Sequence, residues 1–289
     1  MNNIPDIVDI ELTNKCALDC IFCFGPEYSK SDNDMPLSFW LNVLDFLSKA
    51  NCKCVVISGG EPTLYSHLKD VVKYAKGIGL SVLLSTNGLD KQTIIQCSLY
   101  CDTIAIPLDA YEKELVFNIR GIDFGIDDLT DLAKEIKKEN DSAKIRIGSV
   151  ATSLNCESLI RLAEQIKLIA SDIDIWKIYQ YAARRKKLKN ANLLSVSDEK
   201  FTILQENIRH ICSNVSFNIE FLSNAKRQKA YLFIYYDGTV VVPNQGNEED
   251  LIIGNINIEG FNVFEKIRNI DYKKNRNNNV NILTENANS

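Results

Sequence analysis

The chain has 289 residues, 45% hydrophobic and 25% charged, with a formal net charge of −5. That length admits one or two domains of ordinary globular composition, and the negative balance excludes a DNA-binding protein that works through a broad basic surface. No stretch approaches the ~20 consecutive apolar residues of a membrane span, and Met1-Asn-Asn-Ile-Pro-Asp6 lacks the basic-then-apolar order of a secretion signal. Nine cysteines in such a chain read as reduced thiols of a cytoplasmic protein.

Ile7-Val-Asp-Ile-Glu-Leu-Thr13 alternates and predicts a strand over 6–13. Val8, Ile10 and Leu12 form its apolar face, which leaves Glu11 and Thr13 for the opposite side. The strand leads into Cys16, Cys20 and Cys23, spaced Cys-x3-Cys-x2-Cys, in the kind of loop where an α/β protein keeps its chemistry. Three thiolates can hold a [4Fe–4S] cubane and leave one iron open to a small molecule. Zinc would ask for a fourth Cys or a His nearby, and no second knuckle follows. Zinc and three buried thiols stay as the alternatives.

Met35-Pro36-Leu37-Ser38 opens a helix over 36–50, with proline suited to a first turn. Cys54-Val-Val-Ile57 predicts a strand over 54–59 that runs into Ser58-Gly-Gly-Glu-Pro62. Gly59 and Gly60 have no Cβ to keep a ligand away from the backbone. Glu61 offers an acceptor to an ammonium group, a task that backbone carbonyls also perform, and Pro62 stiffens the exit. A helix over 65–78 ends at Lys76-Gly77. The next strand, 80–85, ends in Thr86-Asn87-Gly88, and Asp90 caps a helix over 91–99.

Thr103-Ile-Ala-Ile-Pro-Leu-Asp109 predicts a strand over 102–108, with Thr103, Ala105, Pro107 and Asp109 on the face opposite Ile104, Ile106 and Leu108. Asn87 and Asp109 stand at strand ends, where they either accept from ribose hydroxyls or cap turns. Helices over 125–139, 156–170 and 197–212 and strands over 144–152 and 174–181 complete an alternation of parallel βαβ units. By analogy with complete barrels, the chemistry belongs at the C-terminal edge of these strands.

In Ile175-Trp-Lys-Ile-Tyr-Gln-Tyr181, Lys177, Tyr179 and Tyr181 share a face. Arg184-Arg-Lys-Lys-Leu-Lys189 then packs five cations into six residues, either a solvated run or a clamp for an anionic substrate through Arg184 and Arg185. Ala230 to Val242 reads as a hairpin about Asp237-Gly238, and beyond about residue 272 the chain is Asn-rich and polar, a disordered tail. Cys52, Cys54, Cys97, Cys101, Cys156 and Cys212 read as small buried hydrophobes, so one cluster is expected.

Cys16, Cys20 and Cys23 with Phe22 before the last cysteine, then Ser58-Gly-Gly-Glu-Pro62, Thr86-Asn-Gly88 and a strand ending in Asp109, resemble in kind and order the radical S-adenosylmethionine (radical SAM) enzymes over roughly residues 5–185. The resemblance implies an α/β fold: a partial (β/α)6 barrel over 1–185, a small α+β C-terminal extension over 186–271 and a tail over 272–289. It implies one [4Fe–4S] cluster on Cys16, Cys20 and Cys23. It also implies S-adenosylmethionine held by Phe22, Gly59, Gly60, Glu61, Pro62, Asn87, Asp109 and Arg120. Arg120, in Asn118-Ile-Arg-Gly121, is similar to an arginine of the family that faces the cofactor carboxylate; a surface arginine is the alternative. The implied activity is reductive cleavage to a 5′-deoxyadenosyl radical that abstracts hydrogen from a substrate, with a flavodoxin or ferredoxin as electron donor.

The C-terminal layout resembles the SPASM-type module of peptide-modifying radical enzymes without its cluster cysteines, which leans toward a peptide substrate. Trp176-Lys-Ile-Tyr-Gln180 more loosely resembles a strand of viperin-like nucleotide enzymes, and with the basic run it points to a nucleotide or another anionic metabolite. Glu11, Lys177, Tyr179, Arg184 and Arg185 are the candidate substrate residues. A non-catalytic iron–sulfur or zinc protein is the reading from a different class, and Ser58-Gly-Gly-Glu-Pro62 counts against it.

Overall fold

The structure, a computed structural model, describes residues 4–25, 34–183, 189–227, 232–243 and 250–269. The first six strands are β1 (Ile7–Glu11), β2 (Cys54–Ser58), β3 (Ser81–Ser85), β4 (Thr103–Pro107), β5 (Lys144–Ala151) and β6 (Ile175–Gln180). They pair in parallel in chain order. Helices α1 (Leu37–Lys49), α2 (Leu68–Gly77), α3 (Lys91–Ser98), α4 (Lys113–Arg120), α5 (Ile126–Glu139) and α6 (Cys156–Leu168) connect them. The alternation explains the layering. Val8, Ile10 and Leu12 and, on β4, Ile104 and Ile106 are buried in the core beneath the helices, while Asp9, Glu11, Ala105 and Pro107 face the barrel interior. On the helix side, Leu129, Leu132, Ala133 and Ile136 of α5 make one buried stripe at the spacing of a helix face.

Two local expectations shift by a residue or two. Pro36 is the N-cap of α1 and precedes its first turn. Gly77 is the last residue of α2, and Gly79 beyond it takes the positive φ of +86°. Asp90 caps α3 as expected, its carboxylate accepting from the Thr93 N–H. The helix α4 was not foreseen; it is short, and it ends on Gly121 in the left-handed region at φ +79°.

After β6 come a helical turn, α7 (Ala191–Leu194), then α8 (Asp198–Ile211), β7 (Asn218–Leu222), another turn, α9 (Asn224–Arg227), and strands β8 (Leu232–Ile234), β9 (Thr239–Val242) and β10 (Leu251–Asn255). Among the described residues the ten strands form one sheet in the order β10-β9-β8-β1-β2-β3-β4-β5-β6-β7. The six predicted strands are therefore extended on both sides. β7 adds in parallel to β6, and β8 adds in parallel to β1, carrying the antiparallel β9 and β10. The expected hairpin at Asp237-Gly238 is present, with Gly238 at φ +84°. The final segment folds back on α1, where Phe46 stacks on Phe261 and Phe264 with ring centroids 4.5 and 4.7 Å away.

The six cysteines outside the N-terminal array are free thiols. Burial pushes Cys52 and Cys97 up to about 12 and Cys212 up to about 11, so these three stay protonated and behave as apolar groups. Among the described residues no helix is long and apolar enough to cross a membrane.

Candidate cluster and cofactor site

A cavity of about 400 Å³ occupies the barrel interior, with Cys16, Cys20, Cys23, Gly59, Gly60 and Glu61 in its lining. The loop after β1 carries the three thiols, and hydrogen bonds converge on their sulfurs. The Leu18 N–H donates to Cys16 Sγ at 3.4 Å, and the Gly25 N–H donates to Cys23 Sγ at 3.2 Å. Arg120 Nη1 donates to Cys20 Sγ at 3.8 Å. Donors aimed at sulfur favour the thiolate, the form that ligates iron. Burial pushes the Cys20 thiol up to about 11, opposed by the Arg120 guanidinium, so loading a metal centre there must release a proton.

The chemistry of the donor set fits a cluster. A single zinc ion would draw all its ligands together around one centre. A cubane, by contrast, spreads its thiolates over separate irons.

The Gly-Gly-Glu-Pro loop is built against the cysteine loop. The Gly60 N–H donates to Thr13 O at 2.6 Å, and the Glu61 N–H donates to Lys15 O at 2.7 Å. A Cβ on Gly59 would lie 2.6 Å from Thr13 O, and one on Gly60 would lie 2.2 Å from Lys15 O. Both glycines are thus required by chain-to-chain contact, besides any approach of a ligand. Gly59 also holds φ +152°, which side chains other than hydrogen disfavour.

Glu61 is buried, and its carboxylate accepts four hydrogen bonds. Oε1 takes the Thr63 N–H at 3.2 Å, the Thr63 hydroxyl at 2.9 Å and the Thr86 hydroxyl at 2.7 Å. Oε2 takes the Asn87 N–H at 2.7 Å. Burial nevertheless pushes the Glu61 carboxyl above its ordinary value. The carboxylate fastens the end of β2 to the end of β3. Pro62 begins a short 3₁₀ turn, Pro62–Leu64, and is buried beside the cavity without lining it. Asn87 lines the cavity, and its side-chain oxygen caps the turn by accepting from the Leu89 N–H at 2.9 Å.

Asp109 does not line the cavity. It is fully buried behind the wall, where its carboxylate accepts from Arg120 Nε and, at 2.7 Å, from the Val150 N–H. Those bonds occupy both oxygens, so Asp109 positions Arg120. Arg120 itself is in the wall of the cavity, with its guanidinium 5.1 Å above the Phe22 ring; it is not a surface arginine.

Glu11, Lys177 and Tyr179 all line the cavity. Lys177 pairs with Glu220 at 3.2 Å and lies 5.7 Å over the Tyr179 ring. Arg184 and Arg185 lie outside the described residues. Arg146, Glu220 and Phe233 are among the lining residues that were not foreseen. Alternation along β5, buried at every second position, carries the signal for Arg146. Glu220 depends on β7, and Phe233 on the pairing of β8 with β1, for which local sequence holds no cue.

Residues 10–147 match the family model of the radical SAM superfamily. The chain carries a radical SAM domain. The chain is 25% identical over 273 residues to an S-adenosylmethionine-dependent nucleotide dehydratase of Selenomonas ruminantium, covering 90% of this chain and 93% of that protein. It is 36% identical over 87 residues to a PqqA peptide cyclase of Bradyrhizobium diazoefficiens, covering 30% of this chain but 23% of the cyclase. Streptococcus suis SuiB, solved with bound S-adenosylmethionine, superposes with a TM-score of 0.67 at 20% identity, over 82% of this chain and 60% of SuiB. At that identity the likeness is one of fold. The superfamily implies an iron–sulfur cluster and S-adenosylmethionine.

Proposed function

We propose that this enzyme holds one [4Fe–4S] cluster on Cys16, Cys20 and Cys23, cleaves S-adenosylmethionine reductively with an electron from a flavodoxin- or ferredoxin-type donor, and abstracts hydrogen from a nucleotide or similar small polyanion. The observation that carries the substrate class is a pair of cations on neighbouring strands inside the cavity, Arg146 and Lys177. Arg146 Nε is buried and has no hydrogen-bond partner among the described residues. An orphaned buried donor costs about 1–3 kcal/mol, and an anionic ligand supplies its acceptor. The near end-to-end relation to a nucleotide dehydratase supports the same class.

When bound, the cluster and S-adenosylmethionine together supply a one-electron cleavage and a strong hydrogen abstractor. The chain's own residues do the rest. Cys16, Cys20 and Cys23 hold the cluster, carbonyls of the Gly59–Gly60 loop receive the amino group, and Glu61 keeps that loop in register with Asn87. Phe22, under Arg120, keeps water from the wall. Arg146 and Lys177 draw the substrate's anionic group toward β5 and β6, and Lys177 exchanges Glu220 for it. Residues 1–185 then form the core, while the extension over 186–271 contributes Glu220 and Phe233 to the substrate cavity.

A panel of nucleoside triphosphates incubated anaerobically with the reconstituted, reduced enzyme and S-adenosylmethionine tests the substrate class. At least one is expected to stimulate 5′-deoxyadenosine formation. Its affinity is expected to fall about 10- to 150-fold in Arg146→Gln or Lys177→Gln, the worth of one charge-assisted contact of about 1.5–3 kcal/mol. A panel without effect, or stimulation indifferent to both substitutions, refutes the nucleotide reading. The peptide reading, toward which the C-terminal layout alone leans, retains support from the stretch shared with PqqA peptide cyclase.

A further inference from the structure

We propose that Arg120, held by Asp109, is a positioning residue that sets the reduction potential of the cluster on Cys16, Cys20 and Cys23. This rests on the assignment of that cluster. The pair is an oriented dipole inserted into the protein: Arg120 Nε donates to the Asp109 carboxylate, and Nη1 points at Cys20 Sγ at 3.8 Å. Asp109 is fully buried, and the Arg120 side chain is 12% exposed, so solvent screens the pair weakly. The guanidinium plane is further fixed by the Phe22 ring 5.1 Å away.

The backbone holds this geometry too. The Ile21 N–H of the cysteine loop donates to Ile119 O at 3.0 Å, and the Cys20 thiol faces Arg120 O at 3.9 Å. Gly121 ends α4 at that point in the left-handed region, so the last turn of the helix, with its cation, is strapped to the loop that carries Cys20. Reduction adds one electron to the cluster and therefore one negative charge beside Cys20. A fixed cation in a weakly screened site favours the more negative form, and hydrogen bonds to the sulfur act in the same direction. Asp109 lies on the far side of the guanidinium and offsets part of its charge.

The experiment is an EPR-monitored redox titration of the anaerobically reconstituted enzyme without S-adenosylmethionine, with iron and sulfide determined for each sample. At the wild-type midpoint, Arg120→Gln is expected to hold about tenfold less reduced relative to oxidised cluster, the equivalent of one charge-assisted hydrogen bond. Arg120→Lys, which keeps the charge, is expected to stay within about threefold of wild type, the scale of a weakened ion pair. Asp109→Asn removes the opposing charge and is expected to raise the reduced fraction; it carries the test if Arg120→Gln fails to load iron.

A fully loaded Arg120→Gln with the wild-type ratio overturns the proposal. So does a shift that emerges only after S-adenosylmethionine is added, which would make Arg120 a partner of the cofactor carboxylate. An Asp109→Asn ratio at or below wild type overturns it as well. A wild-type protein that takes up no four-iron cluster would sink the cysteine assignment itself, a separate outcome visible in the iron content.

Discussion

Replacing Glu61 by alanine should cost stability before it costs chemistry. The substitution removes the acceptor of four hydrogen bonds, two from hydroxyls of Thr63 and Thr86 and two from backbone N–H groups of Thr63 and Asn87. The hydroxyls can turn to other acceptors; the N–H groups cannot. Two stranded donors at about 1–3 kcal/mol each, less the relief of no longer burying a carboxylate, give a loss of about 2–4 kcal/mol. Glu61→Gln should lose only about 1 kcal/mol. Its oxygen can serve the Asn87 N–H and its amide can donate to the two hydroxyls, leaving only the Thr63 N–H without an acceptor.

The assay is urea unfolding of the cluster-free protein, repeated from mildly acidic to neutral pH. Glu61 titrates above its ordinary value in the folded chain, so the folded state binds the proton more tightly than the unfolded one. The stability this linkage adds is full below the unfolded carboxyl pKa and disappears as pH rises through the folded one. Glu61→Gln should flatten that part of the profile. An alanine variant within about 0.5 kcal/mol of wild type, the scatter of inconsequential surface changes, would refute the fastening role of the carboxylate.

Cys16→Ala, Cys20→Ala and Cys23→Ala should each abolish the brown iron–sulfur absorbance, whereas Cys52→Ala, Cys97→Ala and Cys212→Ala should retain it. Iron analysis should find about four irons per chain, the content of one cubane, and about eight would contradict a single cluster. Gly60→Ala forces a Cβ to within 2.2 Å of Lys15 O; displacing the cysteine loop should cost about 1–3 kcal/mol in a melting experiment and depress iron loading. Gly148→Ala is the matched control. It points into open space in the cavity lining, with nothing within 4 Å, and should melt like wild type.

The parts of the site that were legible in the sequence are those whose chemistry is local. The spacing of Cys16, Cys20 and Cys23 and the Ser58-Gly-Gly-Glu-Pro62 turn need no partner to be recognised, and alternation along β1 and β4 sorted interior from exterior faces. Roles that depend on distant partners were less legible. Asp109 reads as a ribose acceptor until Arg120 and the Val150 N–H are seen to occupy it. Gly59 and Gly60 read as ligand-facing until Thr13 and Lys15 are found against them. β7 escaped notice because Asn218-Ile-Glu-Phe-Leu222 is short and half polar, and its place in the sheet comes from pairing with β6. Likewise the hairpin was predicted from its turn, but not that β8 would join β1 and bring Phe233 within 5.3 Å of Phe24, ring to ring.

We propose above that the three thiols and the loops around them form a centre that cleaves S-adenosylmethionine. Anaerobic reconstitution, reduction with dithionite and chromatography of the products with S-adenosylmethionine test it most directly. Wild type is expected to yield 5′-deoxyadenosine and methionine in equal amounts, and Cys20→Ala neither. A reduced wild-type protein that holds four irons per chain and leaves S-adenosylmethionine intact, with or without candidate substrates, would contradict the account.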